Sequence, residues 1–338
     1  MPAAPTPRAG AAFVALLFAA LAAYPAMAGS FGLDLATKIM ILAIFALSLE
    51  LVVGGAGLVS FGHAAFFGIG AYATVLLTPA DGGASASWLL PASVALAALY
   101  ALAVGALSLR TRGVYFIMVT LAFAQMAYYV VHDTPLGGGT DGIYLPERPA
   151  FGTLLVLEGA RTMYYLTLAA LALVFGALAL LLRSRFGRAL AGIRVNEQRM
   201  RATGFSTYPY KLAAFTLSGA VAGLAGFLFA VKDGFVNPEL LAWHQSGAVL
   251  VMIILGGIGR LHGALVGAFA YALLQELFKS DAVFGAFAKH WLLMLGLTII
   301  ASVALLPRGL VGLPGQWRER LVGRNRADVV GEEALSEA

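Results

Sequence analysis

Glu50, His63, Gln125 and Glu276 are polar side chains lying inside long apolar runs, and they are where any chemistry of this chain must be sought. A carboxylate within hydrocarbon is costly, so Glu50 is expected to face protein or water rather than lipid. Two readings follow for it: a pathway or gate residue, or a helix-end carboxylate reaching the interface. His63 reads best as a hydrogen-bonded packing histidine, with a lining role as the competitor. Gln125 serves either interhelical bonding or solute contact. Covalent chemistry has no residues to carry it. The 338 residues contain no cysteine, no GxxxxGK[ST], no GxSxG and no HExxH, and the five histidines are scattered. Disulfides, thiolate ligands and a P-loop nucleotide site are thereby excluded. No catalytic residue, metal site or bound cofactor is read.

Glycine carries more information, with 40 copies. Gly54-Gly55-Ala56-Gly57 follows one apolar run and Gly256-Gly257-Ile258-Gly259 follows another. Each leads into a Gly-rich segment with a similar ending, Gly70-Ala71-Tyr72 and Gly267-Ala268-Phe269-Ala270-Tyr271. This reads as an internal repeat of parallel sense, with chance similarity as its competitor. Paired Gly-interrupted segments in two halves of a transporter point to its pathway. The pathway candidates are therefore Glu50, Gly57, Ser60, His63, Tyr72, Gln125, Gly256 and Gly259. Other glycines stand at four-residue spacing, Gly219 with Gly223 and Gly259 with Gly263 and Gly267, a pattern that plain helix packing explains.

The most specific stretch runs from Arg183 to Gly226. A basic loop over 183–207 separates two apolar runs, too short for a catalytic domain and longer than a tight hairpin needs. Arg183, Arg185 and Arg188 read as anchors at a span end. Val195–Ala202 is polar and helix-compatible, with Gly204 as its C-cap. A short helix along a membrane face suits docking of a soluble partner, and Arg194, Asn196, Glu197, Arg201 and Gly204 are the candidates. The loop over 132–160 is the other polar stretch of size. Its Gly138–Gly142 turn offers Asp141 to an external partner, or only packs on the helix ends.

These residues need elements to hold them. The chain is 60% hydrophobic and 12% charged, with a mean hydropathy of +0.86, outside the range of soluble domains. Apolar runs of membrane-crossing length occur at roughly 10–29, 35–54, 58–78, 88–109, 113–131, 160–182, 208–231, 244–259, 263–279 and 287–306. The expectation is an all-α polytopic transmembrane bundle of about ten spans, eight to ten in range, making one domain over 1–317. The charged tail over 318–338 is expected to be disordered. With both termini on one side, sixteen of the 22 Lys and Arg fall there and six opposite, which makes that side cytoplasmic. Arg8, the apolar run from Ala11 to Ala23 and Ala26-Met27-Ala28 resemble a cleavable leader, and an uncleaved first span is the preferred reading. Net charge is +5, but the basic residues flank apolar runs, so lipid rather than nucleic acid is the expected contact.

Seven segments in series carry a family resemblance: SFGHAAFFGIGAYA from Ser60, VYFIMVTLAFAQM from Val114, GGTDG from Gly138, RSRFGRALAGIR from Arg183, YKLAAFTLSGAVAGLAG from Tyr210, ILGGIGRLHGALVGA from Ile254 and PRGLVGL from Pro307. Together they resemble the branched-chain amino acid (LivM-type) permeases of ABC importers over most of residues 40–313. The importer signature with Glu-Ala-Ala is not intact. Gln198 to Ala202 stands near its place, and Gly204 matches its glycine. Glu50 stands where a neutral amide is expected. The resemblance implies a non-catalytic subunit in the bacterial inner membrane. Its implied partners are a second homologous permease, two ATP-binding subunits that use the ATP, and a periplasmic or extracellular substrate-binding protein. Urea or short amides are alternative cargo, and a proton-coupled secondary transporter using Glu50 or Glu276 is the reading from another class.

Overall fold

The computed structural model describes residues 7–79, 85–151, 155–156, 159–306 and 309–313. In chain order the helices are α1 (Pro7–Ala23), α2 (Ser30–Glu50), α3 (His63–Leu77), α4 (Ala86–Ser108), α5 (Val114–Asp133), α6 (Ala160–Arg183), α7 (Arg185–Val195), α8 (Glu197–Ala202), α9 (Thr207–Asp233), α10 (Trp243–Gly256), α11 (Leu261–Lys279), α12 (Asp281–Phe284) and α13 (Trp291–Leu305). A π-helical turn over Leu51–Ala56 extends α2. Every apolar run expected to span forms a helix. Among the described residues seven helical stretches are long and apolar enough to cross a bilayer, whereas Ala12–Ala26, His63–Leu77 and Trp243–Gly256 are shorter. The tail over 318–338 lies outside the described residues, as do Pro307 and Arg308 of the last family segment.

α2 is the axis of the bundle, with 89% of its apolar window buried, and the stretch over α13 is peripheral at 6%. α9 packs along both α3 and α4. Lipid is as apolar as leucine, so helices associate through close van der Waals fit, and small residues set the approach. A Cβ on Gly70 of α3 would lie 2.6 Å from the Cα of Gly223 on α9. Gly219 meets Ala101 and Ala97 of α4 in the same way. Around Phe215 of α9 the rings of Phe66, Phe116 and His63 stand edge-on, with centroids 5.4, 6.0 and 5.8 Å away.

α3 begins inside the bundle, so its first amides have no water to meet. Hydroxyls supply the partners. Thr120 of α5 accepts from the Phe61 N–H at 3.2 Å, Ser60 from Gly62 at 3.1 Å, and Ser246 of α10 from Ala64 at 2.8 Å. This explains why α3 starts at His63, later than the expected 58. Gly57 takes the left-handed conformation at φ +72, and the chain turns back inward before the helix can start.

The two ends of α9, about 40 Å apart at helical rise, mark two polar faces. Beyond its C-terminus, β4 (Phe235–Val236) pairs antiparallel with β1 (Ile143–Tyr144), and a second pair joins β2 (Ala150–Phe151) to β3 (Leu155–Val156). The 132–160 loop is therefore fastened to the end of α9, with Leu145 N–H donating to the Gly234 carbonyl at 2.9 Å. At the N-terminal end of α9 stand α7, α8 and both glycine runs.

Candidate functional site

The basic stretch is more ordered than expected. Ser184 caps α7, its hydroxyl accepting from the N–H groups of Phe186 at 3.1 Å and Gly187 at 3.4 Å. α7 buries Gly187, Ala189, Leu190 and Ile193, and Leu190 packs with Ala56 and Ala214. The segment read as charged anchors is an amphipathic helix lying against the bundle. The helix expected over Val195–Ala202 is α8 and starts at Glu197, because Val195 closes α7 and Asn196 breaks the chain at φ −158, ψ 98. The Asn196 side-chain oxygen accepts from Arg199 N–H at 2.9 Å. At the other end Gly204, at φ +88, donates to the Arg201 carbonyl, and Phe205 N–H donates to Met200, each at 3.0 Å. These two bonds are a Schellman stop, so Gly204 is the terminating glycine read from the sequence.

Glu197 turns toward the start of α9, and Arg201 pairs with it while staying exposed. Glu197 Oε1 accepts from Arg201 Nη2 at 2.5 Å, Thr207 Oγ1 at 2.8 Å and Lys211 Nζ at 2.9 Å. Burial works to raise the Glu197 carboxyl. The bonds from Lys211 and Thr207, the Lys211 charge and the Arg201 bond outweigh it and hold the group at about 2. Lys211 is itself buried. This cluster braces α8 against the start of α9. The face left open carries Val195, Gln198, Arg199, Ala202 and Phe205. Lys211 was legible only as one more basic residue at a span end, since its partner lies fourteen residues back across a turn.

Arg194 belongs to a different cluster. Its Nη1 donates to the Gly54 carbonyl at 2.5 Å, in the π-helical turn. One turn earlier Glu50, only 2% exposed, accepts the Gly259 N–H on Oε1 at 2.6 Å, while Oε2 is buried without a partner. The reading of Glu50 as a carboxylate reaching the interface is overturned: it is enclosed by protein. The two glycine runs touch, since a Cβ on Gly54 would lie 3.1 Å from Gly259 Cα. Glu50, Gly54, Arg194, Gly259 and Leu261 line a cavity of about 340 Å³. Both runs end helices and both use left-handed glycines, Gly57 at φ +72 and Gly259 at φ +89.

The remaining candidates scatter. His63 is fully buried, and its Nε2 lies 2.6 Å from the Ser218 hydroxyl. That hydroxyl donates to the Ser48 carbonyl at 2.5 Å, so it accepts from an Nε2–H and the unpartnered Nδ1 is a bare acceptor. The packing reading of His63 fits this placement. Ser60 serves the entry to α3 as described. Tyr72 sits at the opposite end of the bundle, its hydroxyl 3.4 Å from the Gly137 carbonyl. Gln125 is half-buried on α5, away from the glycine crossing. Gly256 lies in the α10–α11 seam against the backbone of Gly263 and Gly267. Asp141 is exposed in its turn, near Thr140. Among the described residues no three His, Cys, Asp or Glu gather as a metal site.

Residues 31–303 match the family described as branched-chain amino acid transport system / permease component. The chain is 34% identical over 348 residues to the high-affinity branched-chain amino acid transport system permease protein LivM of Escherichia coli K12, covering 95% of this chain and 78% of that protein. The LivM protein of Salmonella typhimurium is 33% identical over 326 residues, covering 88% and 74%. A more partial likeness, 31% over 156 residues and covering 44% and 41%, is to the autoinducer 2 import system permease protein LsrC of Klebsiella pneumoniae. No solved structure matches the chain. With the family match spanning the bundle, the glycine crossing and both short helices, this chain belongs to the permease components of branched-chain amino acid transport systems.

Proposed function

We propose that this chain is one of two different permease subunits of an ATP-driven importer whose cargo is leucine, isoleucine, valine or a closely related small molecule. In this reading the end with α7 and α8 is cytoplasmic, both termini lie on that side, and the membrane is the bacterial inner membrane. Two ATP-binding subunits dock on α8, and an external substrate-binding protein seats on the opposite face around Asp141. The chain performs no covalent step. The observation that carries the reading is the braced helix α8. It stands off the bundle, is fixed from behind by Glu197 on Lys211, Thr207 and Arg201, and leaves Gln198 and Arg199 open. A rigid, outward-facing element is what a push from a soluble partner requires, because a loose loop would absorb the displacement.

The test separates the open face from the brace. Arg199→Glu reverses a charge on the open face without touching the Glu197 cluster. It is expected to cut co-purification with the ATP-binding subunits at least about tenfold while the protein stays in the membrane. Unchanged co-purification together with unchanged ATP-driven uptake contradicts the assignment of α8.

A further inference from the structure

Glu50 presents an unsolved balance inside the bundle. Oε1 accepts the Gly259 N–H, and among the described residues Oε2 is buried without a hydrogen-bond partner. Arg194 reaches the same crossing from α7, with its guanidinium beside Gly259, whose N–H Glu50 accepts. Yet the two are not directly paired. The Gly54 carbonyl takes the Arg194 hydrogen bond, and the Gly54–Gly259 contact lies beside both groups.

The glycines explain how the arginine fits. A Cβ on Gly57 would lie 3.0 Å from Arg194 Cγ, and one on Gly259 would lie 3.1 Å from Arg194 Nη1. The two glycine runs thus form one trough, and the Arg194 side chain lies in it. Both halves are helix breaks, one π-helical and one at left-handed glycine, where backbones change conformation most readily.

We propose that Arg194 is a positioning residue, and that Arg194 on Gly54 and Glu50 on Gly259 act as one hydrogen-bonded latch tying α7 to both glycine breaks. With the arginine seated on the Gly54 carbonyl and Glu50 on the Gly259 N–H, the Gly54–Gly259 contact is held shut. Displacing α7 withdraws the Arg194 side chain from Gly54, Gly57 and Gly259 and loosens both breaks together. That the latch times transport rests on the permease reading above; the mechanical tie itself does not.

The test uses the assembled importer in liposomes with radiolabelled leucine, and the permease alone in detergent for a distance measurement. The chain has no native cysteine, so Val195→Cys and Ile258→Cys, at 83% and 43% exposure, give a unique spin-label pair on α7 and the second break. Arg194→Ala and Glu50→Ala are each expected to broaden the distance distribution and to lower uptake about tenfold. ATP hydrolysis is expected to continue but to lose its dependence on the loaded binding protein. The double variant is expected to be no worse than the worse single, because the two residues act as a unit. Arg194→Lys, which keeps a donor for the Gly54 carbonyl, is expected to restore part of the uptake. Additive losses in the double variant overturn the proposal, as does an unbroadened distribution in Arg194→Ala. If the unsubstituted complex shows no ATP-driven uptake while broadening still follows Arg194→Ala, the permease reading fails and the tie stands.

Discussion

At the scale of single residues, Glu197 makes a pH prediction. Its carboxyl is held at about 2 in the fold, below the unperturbed value of about 4.3. A depressed carboxylate contributes stability that is complete above the unfolded value and lost as pH falls through the folded one. The order of α8 is therefore expected to be flat from pH 8 to about 5 and to decay between about 4.3 and 2, read by amide hydrogen exchange at Arg199 and Met200, whose N–H groups bond to Asn196. Decay beginning above pH 5 contradicts the brace. Lys211→Met removes the buried partner and is expected to cost α8 about 1.5–3 kcal/mol, seen as faster exchange over 197–202 at neutral pH. Residue types at this end were legible and their directions were not. The sequence shows Glu197 and Arg201 four apart on a polar helix, which fits an outward pair as well as an inward clamp. The buried Lys211, across the turn, draws Glu197 inward, while Arg201 stays exposed.

At the scale of elements, glycine spacing was readable but its two uses were not separable by spacing. Gly70, Gly219 and Gly223 are contact glycines of the α3–α9–α4 stack, whereas Gly57 and Gly259 are left-handed turn residues. Valine at either turn glycine strains the turn itself, so substitutions at contact glycines report on packing more cleanly. Gly70→Val drives its side chain into the Gly223 backbone and is expected to abolish recovery of monodisperse protein. Gly234→Ala, at φ +67 with open space around its Cβ position, is expected to cost only about 1 kcal/mol of backbone strain. Equal recovery of the Gly70 and Gly234 variants contradicts the assigned stack. The helix α7 was not legible because its apolar positions, Ala189, Leu190 and Ile193, are few and sit among arginines, which read first as membrane anchors. The short α3 was equally hidden: its run of apolar residues is continuous with the preceding turn, and only the left-handed Gly57 and the buried hydroxyls from α5 and α10 set its start.

At the scale of the whole molecule, the all-α polytopic architecture was legible from hydropathy alone, since lipid allows few alternatives for a chain this apolar. The number of helices that reach bilayer length was less so, because α3 and α10 are apolar throughout yet only 15 and 14 residues long. The proposed orientation makes a direct prediction. A single cysteine at Asp141 is expected to react with a membrane-impermeant maleimide in intact cells, and one at Gln198 only after permeabilisation. Reversal of that pattern inverts the bundle. The central claim, that the chain conducts amino acids under the drive of ATP-binding subunits, is tested most directly by uptake. The chain is reconstituted with its second permease, the ATP-binding subunits and the binding protein in liposomes, and radiolabelled leucine is followed with and without ATP. The account predicts accumulation that requires both ATP and the binding protein and ignores an imposed proton gradient. Accumulation driven by the proton gradient without ATP would contradict it.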